Sequence, residues 1–171
     1  LLTATWNGEA FVVALILDEA EVNRRMNLPS ESGWLVQTYP GSTLQVRAVR
    51  RFVRDGLAGH PAAEETELVA SELAANSAIH SASCLPGGRF VVRLAAIDKQ
   101  RAGVVVTDQG GPFCPSADAL ALDSESGRGL QVVQALSSIF WVHEHDGFQS
   151  FCAVVAKLLA PMANPENTEL R

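Results

Sequence analysis

Apolar and polar positions alternate along the chain with two different periods. Trp34–Tyr39 reads as a strand closed by Pro40-Gly41. From Thr43 to Leu57 the period lengthens. Val46, Val49, Phe52, Val53 and Leu57 recur at helical spacing, with Ser42 placed as N-cap. A second stripe, Arg47, Arg50, Arg51 and Arg54, runs along the same helix, which Gly56, Gly59 and Pro61 end. The next helix is predicted over Ala62 to His80 and opens on Glu64, Glu65 and Glu67, where negative charge suits the macrodipole. Arg89–Ala96 and Gly103–Thr107 form a predicted hairpin around Asp98–Arg101. Gly129–Ser137 is a helix entered through glycines. Phe140–His145 and Phe148–Leu158 are strands joined by Asp146-Gly147, a two-residue turn signal.

Other segments carry less pattern. Phe11–Leu17 fits either a buried strand or the start of a helix running to Met26. Asn27–Gly33 is rich in turn residues and reads as a linker, and Gln109–Gly127 has little periodicity. The order β-α-α-β-β-loop-α-β-β predicts an α+β fold: a two-layer sandwich, its mixed, mostly antiparallel sheet carrying helices on one face. The expected organisation is an N-terminal extension over 1–30, one domain over 31–160 and a flexible tail over 161–171.

Composition narrows the function classes. The 171 residues are 47% hydrophobic and 19% charged, with a net charge of −6. That is a globular balance, and the acidic total points away from direct nucleic-acid binding. No apolar run reaches the roughly 20 residues a membrane span needs. Ala10–Leu17 is followed by Asp18, Glu19 and Glu21, where a signal peptide would carry its cleavage site. Cys84, Cys114 and Cys152 show no CxxC pairing, which fits a reducing compartment. The expectation is a soluble, cytoplasmic protein with no membrane partner.

Three segments carry candidate chemistry. On the second helix, Glu72 and Asn76 lie one turn apart, in the middle of a face shared with Leu68, Val69, Leu73 and Ile79. The opposite side, Ala70, Ser71, Ala74, Ser77 and Ala78, is small and nearly uncharged. The helix is therefore expected to be covered on both sides, with a carboxylate and an amide pointing inward to one ligand or one metal shell; a slightly misregistered surface helix, or a capped polar pair within the core, is the alternative. Next, Val104-Val105-Val106-Thr107-Asp108-Gln109-Gly110-Gly111 delivers Asp108 to a strand end, followed by glycines that leave room for a flat ring. There a carboxylate either accepts from an exocyclic amine or bonds its own turn. Last, Ser126-Gly127-Arg128-Gly129-Leu130 leads a glycine loop into a helix start, which is either an anion site or an ordinary N-terminus.

In order, these segments resemble the N, G1 and G2 boxes of the GHKL ATPase superfamily, which binds ATP in the Bergerat fold. Glu72-Leu73-Ala74-Ala75-Asn76, Asp108-Gln109-Gly110 and Gly127-Arg128-Gly129-Leu130 carry the resemblance. It covers about Trp34 to Leu158 and is closest to the small branch of anti-sigma factor serine/threonine kinases. The resemblance implies that Asn76 coordinates Mg²⁺ on the ATP phosphates and that Glu72 is the general base. It assigns Asp108 to the adenine amino group, Gly110 to a place beside the ring, and Gly127, Arg128, Gly129 and Leu130 to the phosphates. Phe113–Glu125 would be the ATP lid. Pro112 stands where many members have another glycine, the lid carries no Lys for the phosphates, and residues 1–30 have no recognised counterpart.

The implied function is that of an ATP-dependent switch that binds a sigma factor and phosphorylates an antagonist, an anti-anti-sigma-like protein, on Ser or Thr; self-association as a homodimer stays open. The alternative is a catalytically inactive adaptor whose nucleotide state gates protein binding. A two-component histidine kinase fits poorly, because no dimerising helix pair is expected before Thr43 and His60 sits in a Gly/Pro-rich turn.

Overall fold

The computed structural model describes residues 3–6, 9–12, 19–28, 33–111 and 128–157. Strands β1 (Thr3–Trp6) and β2 (Glu9–Val12) pair antiparallel, and helix α1 covers Glu19–Met26. The first apolar segment, Phe11–Leu17, is strand over Phe11–Val12, and the helix that runs to Met26 begins at Glu19, beyond that segment. Residues 13–18 lie outside the described residues.

Five strands form the main sheet: β3 (Leu35–Pro40), β4 (Arg89–Ala96), β5 (Arg101–Asp108), β6 (Ser137–His145) and β7 (Phe148–Ala156). Their spatial order is β3-β4-β5-β7-β6, with every neighbouring pair antiparallel. Asp146 and Gly147 both take positive φ, 48° and 79°, and make the two-residue turn between β6 and β7 that their sequence signals.

Helices α2 (Val46–Gly56), α3 (Ala63–His80) and α4 (Arg128–Leu136) pack on one face. Their buried residues, among them Val49, Val53, Val69, Leu73, Leu130 and Val133, meet Phe90, Val92, Leu94, Val104, Val106, Phe151 and Ala153 of the sheet. Ser42 does cap the chain at this point, but it caps a 3-10 turn, Thr43–Gln45, that precedes α2; its hydroxyl accepts from the Leu44 N–H at 3.3 Å.

The second face of the sheet is partly covered as well. Val22 and Met26 of α1 pack on Ile97, Val105, Cys152 and Val154, with Trp34 and Trp141 alongside. Residues 19–28, within the segment expected as an extension, thus contribute a helix to the body of the fold. Burial on both faces explains why β5 reads as an unbroken β-branched run rather than an alternating one. Burial also pushes the Cys152 thiol up to about 12, which leaves it an inert packing residue. Among the described residues, no helix is long and apolar enough to cross a membrane. Pro112, the lid segment, Cys114 and the tail from Pro161 lie outside the described residues.

Candidate functional site

Helix α3 presents a different face to the sheet from the one its large residues suggest. Leu68 is 39% exposed and Ile79 52% exposed, whereas Ala70, Ala74, Ser77 and Ala78 are buried with Val69 and Leu73. The apolar residues are spread almost evenly around the helix, so size decides: small side chains let the helix axis come close to β5, and close approach increases dispersion contact. The expectation that Glu72 and Asn76 point into a doubly covered core is corrected accordingly. Both are half-buried, at the border between the packed and open sides of α3.

That border is where α4 begins. A Cβ on Gly129 would stand 2.7 Å from Glu72 Oε2, so with any other residue there the carboxylate would shift; glycine lets it lie against the first turn of α4. The partial positive charge of a helix start favours a carboxylate there. One turn further along α3, the Nδ2 of Asn76 is buried with no hydrogen-bond partner among the described residues. A buried polar atom without a partner calls for one. Because the two ends of an amide exchange by a flip, the position can present an oxygen or an N–H to a ligand.

Asp108 closes β5 at 2% exposure. Its Oδ1 accepts from the Gly110 N–H at 2.8 Å, and its Oδ2 accepts from the Ser77 hydroxyl at 2.8 Å. Burial raises the Asp108 pKa above the ordinary carboxylate value, and the Gly110 and Ser77 donors offset part of that rise. The loop that follows is held from two sides. The Gly110 carbonyl accepts from the Ala82 N–H at 2.5 Å, and the Gln109 N–H donates to Ser83 Oγ at 3.0 Å. Ser77 has no counterpart among the sequence-derived site residues. It was legible only as one of several small residues, because its partner is 31 positions away.

The remaining predicted residues divide. Arg128 is exposed at the first position of α4, while the Leu130 side chain is buried in the core, so Leu130 can meet a ligand only through its backbone. Gly127 lies outside the described residues. Among those residues, no three His, Cys, Asp or Glu cluster to hold a metal ion. A Mg²⁺ site made of Asn76 and nucleotide phosphate oxygens needs no such cluster, since Mg²⁺ is commonly held by one or two protein groups plus substrate phosphates. The orphaned Asn76 amide and the Gly129 cradle fit that kind of site.

A two-layer α+β sandwich with a buried carboxylate at a strand end and Glu72 against the first turn of α4 is consistent with a nucleotide-binding ATPase domain. The family model of the histidine kinase-like ATPase domain matches residues 40–149, and the chain belongs to that family, part of the GHKL superfamily. Among curated proteins, none matches the chain. Membership carries ATP binding, typically with Mg²⁺.

Replacing Ser77 by Ala tests its part in this site. Loss of the hydroxyl raises the Asp108 pKa further. Nucleotide affinity is expected to decline toward acid as Asp108 gains a proton, and in the variant the decline begins at higher pH. Stability has a related pH dependence. With a folded-state pKa above the unfolded one, the contribution is full below the ordinary carboxylate pKa and is lost as pH rises through the folded value. Binding and melting profiles that superimpose for wild type and variant across pH would remove Ser77 from the site.

Proposed function

We propose that the chain is a cytoplasmic ATP-binding regulator, an anti-sigma factor that holds a sigma factor and phosphorylates an antagonist protein on Ser or Thr. The observation that carries the reading is the meeting of the Glu72 carboxylate with the first turn of α4 at Gly129, one turn along α3 from the Asn76 Nδ2 that has no partner among the described residues. In this reading Asp108 accepts from the adenine amino group and the α4 backbone N–H groups face the phosphates. Asn76 holds Mg²⁺, which when bound neutralises phosphate charge. Glu72 takes the proton of the incoming Ser or Thr hydroxyl as its oxygen bonds to the γ-phosphorus; the bond from that phosphorus to the bridging oxygen breaks, and ADP leaves with the electron pair.

Titration calorimetry with ATP tests the nucleotide site. Wild type is expected to bind ATP more tightly in Mg²⁺ than in EDTA. Asn76→Ala is expected to lose about tenfold or more of its affinity in Mg²⁺ and little in EDTA, in keeping with the 10–100-fold worth of groups that support a metal. Equal losses in both media would make Asn76 a packing residue. Retention of a sigma factor on the immobilised chain with and without Mg-ATP tests the regulatory part, and retention that ignores nucleotide would sink it.

A further inference from the structure

Strand β3 is an edge of the main sheet, and among the described residues no strand pairs with its outer side. Between it and α2 runs an open groove of about 580 Å³, lined by Leu35, Gln37, Leu44, Arg47, Arg51 and Phe52 among others. Leu35 and Gln37 share the face of the buried Tyr39, which packs in the helix-side core, yet both stay exposed. One end of α2 is pinned close to the sheet. A Cβ on Gly56 would stand 2.8 Å from both Leu35 Cδ1 and Leu94 Cδ2. Leu44, at 83% exposure, and Leu35, at 47%, present apolar surface in this groove.

The charges beside the groove are one-sided. Of the four arginines on α2, Arg54 is engaged by Glu67 of α3 at 2.8 Å. Arg47, Arg50 and Arg51 are exposed and make no ion pair among the described residues. Asp55 is the one acidic residue lining the groove. On a chain of net charge −6 this is a locally basic surface. A second copy brought up by two-fold symmetry would set these arginines against their own equivalents, which like-charge repulsion disfavours.

We infer that the β3–α2 groove docks an extended acidic segment of a partner protein. The segment adds to the free edge of β3 over up to six residues, the length of that strand. Its alternate apolar side chains enter the groove over Leu35, Leu44 and Phe52, and its carboxylates pair with Arg47 and Arg51. Backbone pairing supplies affinity in this mode of recognition, while the groove and its charges supply selectivity. The groove shares no residue with the nucleotide site, so the inference stands apart from the reading of that site.

A fluorescein-labelled, end-capped hexapeptide of alternating Val and Glu serves as probe, with the Val/Lys peptide as control. The Val/Glu peptide is expected to raise anisotropy on mixing with the full chain and to bind more weakly as salt is added. It is also expected to slow amide exchange within Leu35–Tyr39. The double variant Arg47→Glu, Arg51→Glu should bind it at least tenfold more weakly with Mg-ATP affinity unchanged; that unchanged affinity reports an intact fold and separates this result from any failure at the nucleotide site. If charge reversal perturbs folding, Arg47→Gln with Arg51→Gln gives the same comparison with a smaller loss. The inference is overturned by absence of peptide binding, by equal binding of the Lys peptide, by undiminished binding to the variants, or by unchanged exchange along β3. Sedimentation showing a wild-type dimer that the double variant loses would overturn it too, and would give the face to a second copy.

Discussion

In the proposed kinase, Glu72→Gln is expected to leave ATP binding in place and to lower phosphoryl transfer to a Ser or Thr acceptor by about 10²–10⁴-fold, the usual worth of a general base. Glutamine keeps the size and one acceptor of the side chain but cannot take a proton. The low end of the range is expected, because a loose transition state asks little of a base. The structure also changes the stability side of this substitution. Were Glu72 a core carboxylate, removing its charge would stabilise the fold. It is half-buried against the first turn of α4, where the helix dipole favours a negative charge. Gln is therefore expected to be neutral or to cost up to about 1 kcal/mol. Transfer of label from γ-labelled ATP to a confirmed partner is the measurement. A wild-type rate in the variant removes Glu72 as base, and a wild type that transfers nothing favours the adaptor reading.

Gly110→Ala is expected to lower stability by about 2–4 kcal/mol and to abolish measurable ATP binding. Gly110 has a φ of +56°, which alone costs an alanine roughly 1–2 kcal/mol. In addition, the new Cβ would stand 2.5 Å from the carbonyl oxygen of Gly147, a backbone atom of the β6–β7 turn that cannot swing aside like a side chain. Relieving that contact moves the loop whose N–H holds Asp108 Oδ1. Gly59→Ala provides the control, since Gly59 has a φ of +76° with nothing within 4 Å of a built Cβ. It should show the backbone cost alone. Urea denaturation of both variants decides, and equal losses would mean that the approach of Gly110 to the turn constrains nothing.

The sequence by itself determined the elements of the main sheet and their order along the chain; their spatial order, and that every pair is antiparallel, came only with the structure. Alternation and turn residues placed β3 through β7, and the glycine at the second turn position fixed the β6–β7 hairpin, because those signals are local. The three motifs likewise lay in the sequence, and with them the superfamily. Tertiary structure alone decided which side of α3 meets the sheet. When apolar residues surround a helix almost evenly, periodicity names the faces without ranking them. Close packing on β5 then favours Ala74 and Ser77 over Leu68 and Ile79. The same step moved Glu72 from the core to the border of the helix. It also paired Ser77 with Asp108 and Arg54 with Glu67, contacts between residues 31 and 13 positions apart that no local pattern encodes. Helix α1 was undecidable in sequence for a related reason. The apolar run before it, Phe11–Leu17, reads as strand or helix start, and the few apolar residues of α1, Val22 and Met26, find their role only in covering the second face of the sheet at Val105 and Val154.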